Sequence, residues 1–216
     1  MKHCLSITRL AQLGAALALA GCAASTPAPV LLALPPALAM GATSTAPSTA
    51  PSASGAAPLL AVRRIGIPEY LTSRRVRYRA DASTLAEWPN TFWAERIEIG
   101  VAREFNAALR ARLPSWGLCD ATCGDQLPAL SVQVEMVPMD YVRRLQRLQA
   151  KARITLSSAG AQPGVLQAQE FTYDLPAAAD TPQAHAEALT DLLNQVAAST
   201  AAMVSALPRP APAAGG

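Results

Sequence analysis

The chain has 216 residues, and 18 lysines and arginines against 15 aspartates and glutamates leave it a net charge of +3. So mild a surplus argues against a dedicated nucleic-acid binder. The length suits one medium domain with its own core, but only 5% of residues are aromatic, and much of the 51% hydrophobic fraction is alanine rather than core-forming side chains.

Lys2 and Arg9 give a positive start, and the apolar run Leu10 to Ala20 is too short to span a bilayer as a helix, so residues 1–21 are predicted to be a secretory signal. The run closes on Leu19-Ala20-Gly21-Cys22, which resembles the lipobox of prolipoproteins. Cleavage is expected between Gly21 and Cys22, with Cys22 acylated as the new N-terminus. Charge, apolar length, small residues and cysteine in that order set this above the alternative of a secreted protein with an incidental cysteine. A diacylglycerol plus an N-acyl chain, at about 0.8 kcal/mol per buried methylene, makes a permanent anchor. The next residue is Ala23 rather than the aspartate that retains many lipoproteins at the inner membrane, so the expected location is the periplasmic face of the outer membrane.

With Cys4 removed and Cys22 lipidated, Cys119 and Cys123 remain in an oxidising compartment and are expected to form a disulfide. A redox pair or a metal site is the rival reading. Redox pairs usually have two intervening residues at a helix start, and a metal would need more ligands than this neighbourhood offers.

Residues 22–58 begin with a tether, Ala23 to Pro29, followed by an apolar island at Val30 to Leu34 that is either a first strand or free chain. The Ala/Ser/Thr/Pro-rich stretch from Ala37 to Pro58 has the composition of a flexible linker. The folded domain is placed at 59–207. Leu60 to Ile67 reads as a strand and Val76 to Arg79 as its short partner. From Phe92 to Leu113 the residues Trp93, Ile97, Val101, Phe105, Leu109 and Leu113 recur every four positions, predicting an amphipathic helix stopped by Pro114, with Glu104 among its wet residues. Leu130 to Met136, Leu148 to Leu156 and Val165 to Leu175 read as three strands of an antiparallel meander. Thr181-Pro182 opens a second helix running to Leu207, and the tail 208–216 is expected to be disordered. The predicted fold is α+β, a mostly antiparallel sheet with two amphipathic helices packed on one face.

Chemistry-bearing patterns are sparse. His185, the one histidine of the processed chain, is flanked by alanines and reads as a solvated helix-surface residue rather than a catalytic base. Glu69, Asp81, Glu87, Glu95, Asp140 and Asp174 are scattered, no phosphate loop is present, and no cluster has metal-ligand spacing. Neither catalysis, metal nor cofactor is expected. Arg63, Arg64, Arg74, Arg75, Arg77 and Arg79 stand out. They read either as solvated strand residues or as an electropositive edge for an acidic partner or phospholipid head groups.

The passage Ile65-Gly66-Ile67-Pro68-Glu69-Tyr70-Leu71, then Val76 to Arg79, then Trp93-Ala94-Glu95-Arg96-Ile97 leading into a long helix, resembles the PqiC-like ABC-transport auxiliary lipoproteins over about Leu59 to Leu207. The Ala37 to Pro58 insertion and the Cys119–Cys123 segment depart from that pattern. The resemblance implies a non-enzymatic lipoprotein at the outer-membrane end of an MCE-type lipid-transport system. It would dock the periplasm-spanning MCE protein, with a homo-oligomeric ring as one arrangement. By motif position, Pro68, Tyr70, Leu71 and Trp93 are interface candidates, joined by Arg74, Arg75 and Arg77. Packing and turn geometry account for Pro68 and Trp93 better than contact does. The alternative is a stand-alone lipid-binding or chaperone lipoprotein, which predicts an apolar cavity.

Overall fold

The computed structural model describes residues 27–37, 57–120, 123, 124, 126–158 and 164–208; the signal segment, Cys22, most of the Ala37 to Pro58 stretch and the tail from 209 lie outside them. In chain order the elements are β1 (Val30–Leu32), β2 (Leu59–Val62), a 3-10 turn (Glu69–Leu71), β3 (Arg75–Arg79), β4 (Leu85–Trp93) and α1 (Ile97–Arg112). There follow β5 (Gly117–Asp120), β6 (Leu130–Val142), a second 3-10 turn (Arg143–Leu145), β7 (Arg147–Ser158), β8 (Val165–Pro176) and α2 (Pro182–Ala206).

All eight strands join one mixed sheet that forks at β6. On one side β6 pairs with β7 and β7 with β8, the predicted antiparallel meander. On the other side the first half of β6 takes β2 and then β5, both parallel, while its end meets β3 at Arg79↔Val142 and leads on to β4 and β1. Pro138 sits at the bulge between Met136 and Met139, where the loss of a ladder donor is tolerated.

The α+β class holds, but the expectation of a mostly antiparallel sheet does not: four of the seven strand pairings are parallel and three antiparallel. Parallel partners must be joined by long crossovers, so they bring together segments far apart in sequence. Three of the strands involved, β1, β2 and β5, have only three or four residues and show no alternation to read. β3 likewise pairs with β4 and β6 rather than with β2. The helix predicted from Phe92 begins at Ile97, because Phe92 and Trp93 finish β4.

The core lies between the helices and one face of the sheet. β7 alternates with Leu148, Ala150, Ala152, Ile154 and Leu156 buried, and its other face is wetter. The same buried cluster takes in Leu189, Leu192, Leu193 and Val196 of α2, which packs on the buried face of β7, and Val101, Phe105 and Leu109 of α1, which packs on α2. Each of these large apolar side chains contributes roughly 1.5–3 kcal/mol on burial. The Thr181 hydroxyl caps α2 by accepting from the Ala184 amide at 3.2 Å, with Pro182 in the first turn.

Candidate functional site

The segment 27–37 straps across the folded body. Asn90 has φ 50, a left-handed conformation that asparagine tolerates better than most residues, and it shapes an irregularity in β4. From there its side-chain amide donates to the carbonyls of Pro27 (2.8 Å) and Ala28 (2.9 Å). β1 then runs parallel to the end of β4, Val30↔Thr91 to Leu32↔Trp93, and the Ala94 amide donates to the Leu32 carbonyl. Leu32, Leu34 and Ala37 are buried. The Thr190 hydroxyl of α2 donates to the Pro35 carbonyl at 3.1 Å, and the Ala37 amide donates to Glu104 Oε2 at 2.8 Å. Glu104 is therefore not one of the wet residues of α1. It is buried, its second oxygen accepting from Arg103 at 2.8 Å.

The wing β1-β4-β3 presents two faces. Leu32, Val76, Trp88 and Trp93 point into the core. On the outer face lies an open groove of about 600 Å³ lined by Leu31, Phe92, Arg74, Arg75, Arg77 and Glu87, among others. Glu87 accepts from Arg77 at 3.2 Å and lies 3.4 Å from Arg75, whose guanidinium also sits 5.2 Å from the centre of the Phe92 ring. Arg74 is exposed and forms no ion pair among the described residues. Two of the three arginines thus share one carboxylate, and Arg74 adds a positive charge beside them.

The other interface candidates border this wing. Pro68 is buried and starts the 3-10 turn, accepting from the Leu71 amide. Tyr70 is half-buried, and its hydroxyl donates to Asp140 Oδ1 at 2.9 Å while Arg79 donates to Oδ2 at 2.9 Å. Burial, reinforced by the Asp140 carboxylate, raises the Tyr70 phenol above its ordinary range. The Tyr70 carbonyl accepts from Arg77 at 2.8 Å, tying the turn to the groove. Leu71 covers a small interior space that Trp93 and His185 also line. Trp93 is core, 6.2 Å from the His185 ring.

His185 corrects the expectation of a solvated histidine. It is buried at the start of α2, stacked on Tyr141 at 4.6 Å, and desolvation pulls its pKa down to about 3. The Cys119 and Cys123 sulfurs are joined, with the α carbons 5.2 Å apart. Cys22 and Gly21 lie outside the described residues. Among those described, no group of three or more His, Cys, Asp or Glu residues is placed to hold a metal, and no helix is long and apolar enough to cross a membrane.

Sequence reasoning missed Asn90, Glu104 and Asp140 as organising residues. Two of them left a signal: Pro89-Asn90 is a turn dipeptide, and Glu104 falls three residues after Val101, on the apolar stripe rather than opposite it.

Comparison with solved structures finds the same fold at low identity. An uncharacterized protein is 16% identical with a TM-score of 0.64, over 82% of this chain and 99% of that one. Protein XCC0632 from Xanthomonas campestris, assigned to a family of unknown function, is 18% identical with a TM-score of 0.54, over 68% and 82%. Comparison with curated proteins gives no match. The family model described as the ABC-type transport auxiliary lipoprotein component matches residues 42–201, which is most of the chain and nearly all of the forked sheet with both helices. This family is a family of transport accessory proteins rather than a known enzyme family, and the chain belongs to it.

Proposed function

We propose that the chain is the outer-membrane lipoprotein of an MCE-type ABC transport system, anchored through acylated Cys22 and docking the periplasm-spanning MCE protein during phospholipid transfer. Family membership supplies the transporter. The observation that carries the docking role is the strap: the chain is clamped by Asn90 at Pro27, five positions after Cys22. A five-residue connection reaches at most about 18 Å when fully extended. So short a tether holds the body beside the membrane as a fixed docking point, where a free-ranging carrier would need slack. The half-buried 3-10 turn carrying Tyr70 and Leu71 is the proposed contact with the MCE protein. Pro68 and Trp93 act beneath it by setting the turn and filling the core. A ring of several copies is compatible with such a role and would present that turn repeatedly around a central partner.

The alternative of a carrier acting alone is less well supported. The interior space beside His185 holds about 10 Å³ among the described residues, room for one water and far below an acyl chain. Purification of the lipidated protein from detergent-solubilised membranes tests the proposal. The MCE protein is expected to co-purify, and to be lost when Leu71→Asp is introduced into the turn. Failure to recover it with Cys22 intact overturns the docking role.

A further inference from the structure

We infer that the outer groove of the β1-β4-β3 wing is a membrane-contact surface, with Arg74, Arg75 and Arg77 seated on the phosphates of anionic lipid head groups and Leu31 entering the interface beside them. The inference rests on the anchor reading of Cys22 and assigns the orientation of the anchored body.

Three observations converge on it. The first is charge: three guanidinium groups face one carboxylate, Glu87, which leaves a net positive groove. Arginine suits phosphate because its planar fork donates two parallel hydrogen bonds. The second is the neighbouring apolar surface. Leu31, which lines the groove, is 60% exposed on β1, an edge strand of the sheet. Apolar side chains ringed by long cations are the composition of a surface lying in the head-group layer.

The third is position. Pro29 and Leu31 themselves line the groove, and Asn90 fixes the chain just upstream at Pro27. The groove therefore lies where the chain leaves for its anchor, its first lining residue Pro29 being seven positions, at most about 25 Å of extended chain, from Cys22. An acidic protein partner would satisfy the charge as well. It would not account for Leu31 standing exposed at the exit of the tether.

The test uses the mature chain with Cys22→Ala, which has no lipid, so that partitioning onto vesicles reads the groove alone. It is expected to bind vesicles containing about 30% phosphatidylglycerol and to ignore pure phosphatidylcholine, with binding abolished at high salt. Replacing Arg74 and Arg75 with glutamine lowers partitioning about fivefold per arginine, some 25-fold together. Thermal unfolding is expected to shift only slightly, because both side chains are exposed and the contacts of Arg75 with Glu87 and Phe92 are screened by solvent.

Equal binding to neutral and anionic vesicles, or no effect of the double substitution, overturns the inference. So does amide protection of residues 73–77 that appears only when the MCE protein is added, which would assign the groove to an acidic partner. The anchor reading is scored separately. Wild-type protein from cells that fails to float with neutral vesicles removes the anchor without bearing on the groove.

Discussion

The buried imidazole of His185 stacks flat on Tyr141 and meets Trp93 edge-on, and its Nδ1 has no hydrogen-bond partner among the described residues. Burial holds its pKa near 3 against 6.5 in open chain. Above pH 6.5 the ring is neutral in folded and unfolded states alike, so it confers no pH dependence there. As the pH falls from 6.5 towards 3 only the unfolded chain takes up the proton, and folding loses about 1.4 kcal/mol per unit, roughly 2 kcal/mol by pH 5. Urea unfolding at pH 7.5 and pH 5 is expected to show that loss on top of contributions from other groups. His185→Phe keeps the stacked ring and gives up no hydrogen bond through Nδ1, so the loss is expected to shrink by about the same amount. A pH slope identical in the two proteins would mean that His185 is protonated in the folded state. The sequence showed none of this, because the alanines flanking His185 say nothing of Tyr141, which arrives from β6.

At the scale of the element, the strap shows how a three-residue strand with two exposed residues is held: by what binds its flanks. Asn90 does this twice over, through a backbone turned to φ 50 and a side chain that reaches the carbonyls of Pro27 and Ala28. Asn90→Gly keeps the backbone freedom and removes the clamp, so it isolates the two hydrogen bonds, at a net cost of about 0.5–1.5 kcal/mol each. Asn90→Ala adds the strain of a β carbon in the left-handed region, a further 1–2 kcal/mol or so. Hydrogen exchange is expected to quicken at Val30–Leu32 in both variants, with the melting temperature falling in both and further in the alanine variant. Slow exchange retained in the glycine variant would show that the ladder to β4 suffices.

The same contrast explains what the sequence reveals. The long elements could be read: β7 and β8 from alternation and turn residues, α2 from Thr181-Pro182 and its leucine stripe. β4 and β5 could not. Pro89 and Asn90 break the alternation of β4, and the apolar spacing of Trp93, Ile97 and Val101 carries a helical period across a strand end. The arginine cluster was visible as charge, but only the pairing of β1 with β4 brings Leu31 and Pro29 to the arginines of β3.

For the whole molecule, the forked sheet separates two tasks. The β6-β7-β8 meander and the two helices hold most of the core, while the β3-β4-β1 wing extends from the end of β6 and carries the groove, the strap and the turn. Stability and placement should therefore be separable by changing only the tether. Inserting about 20 glycine and serine residues between Ala23 and Pro27 leaves every contact of the strap intact, so the unfolding midpoint is expected to stay that of the wild type. The mean span of the lengthened tether becomes about 25–30 Å. That is several times the Debye length of about 8 Å at physiological ionic strength, so the anchored groove spends most of its time beyond the reach of head-group charge. The local concentration of the turn at the membrane surface falls for the same reason. The lipidated insertion variant should float with vesicles as the wild type does, yet lose phosphatidylglycerol-dependent protection of residues 29–32 and 73–77 and recover less of the MCE protein. Full protection and full recovery with the long tether would mean that the wing binds strongly enough by itself and that the tight strap serves folding alone.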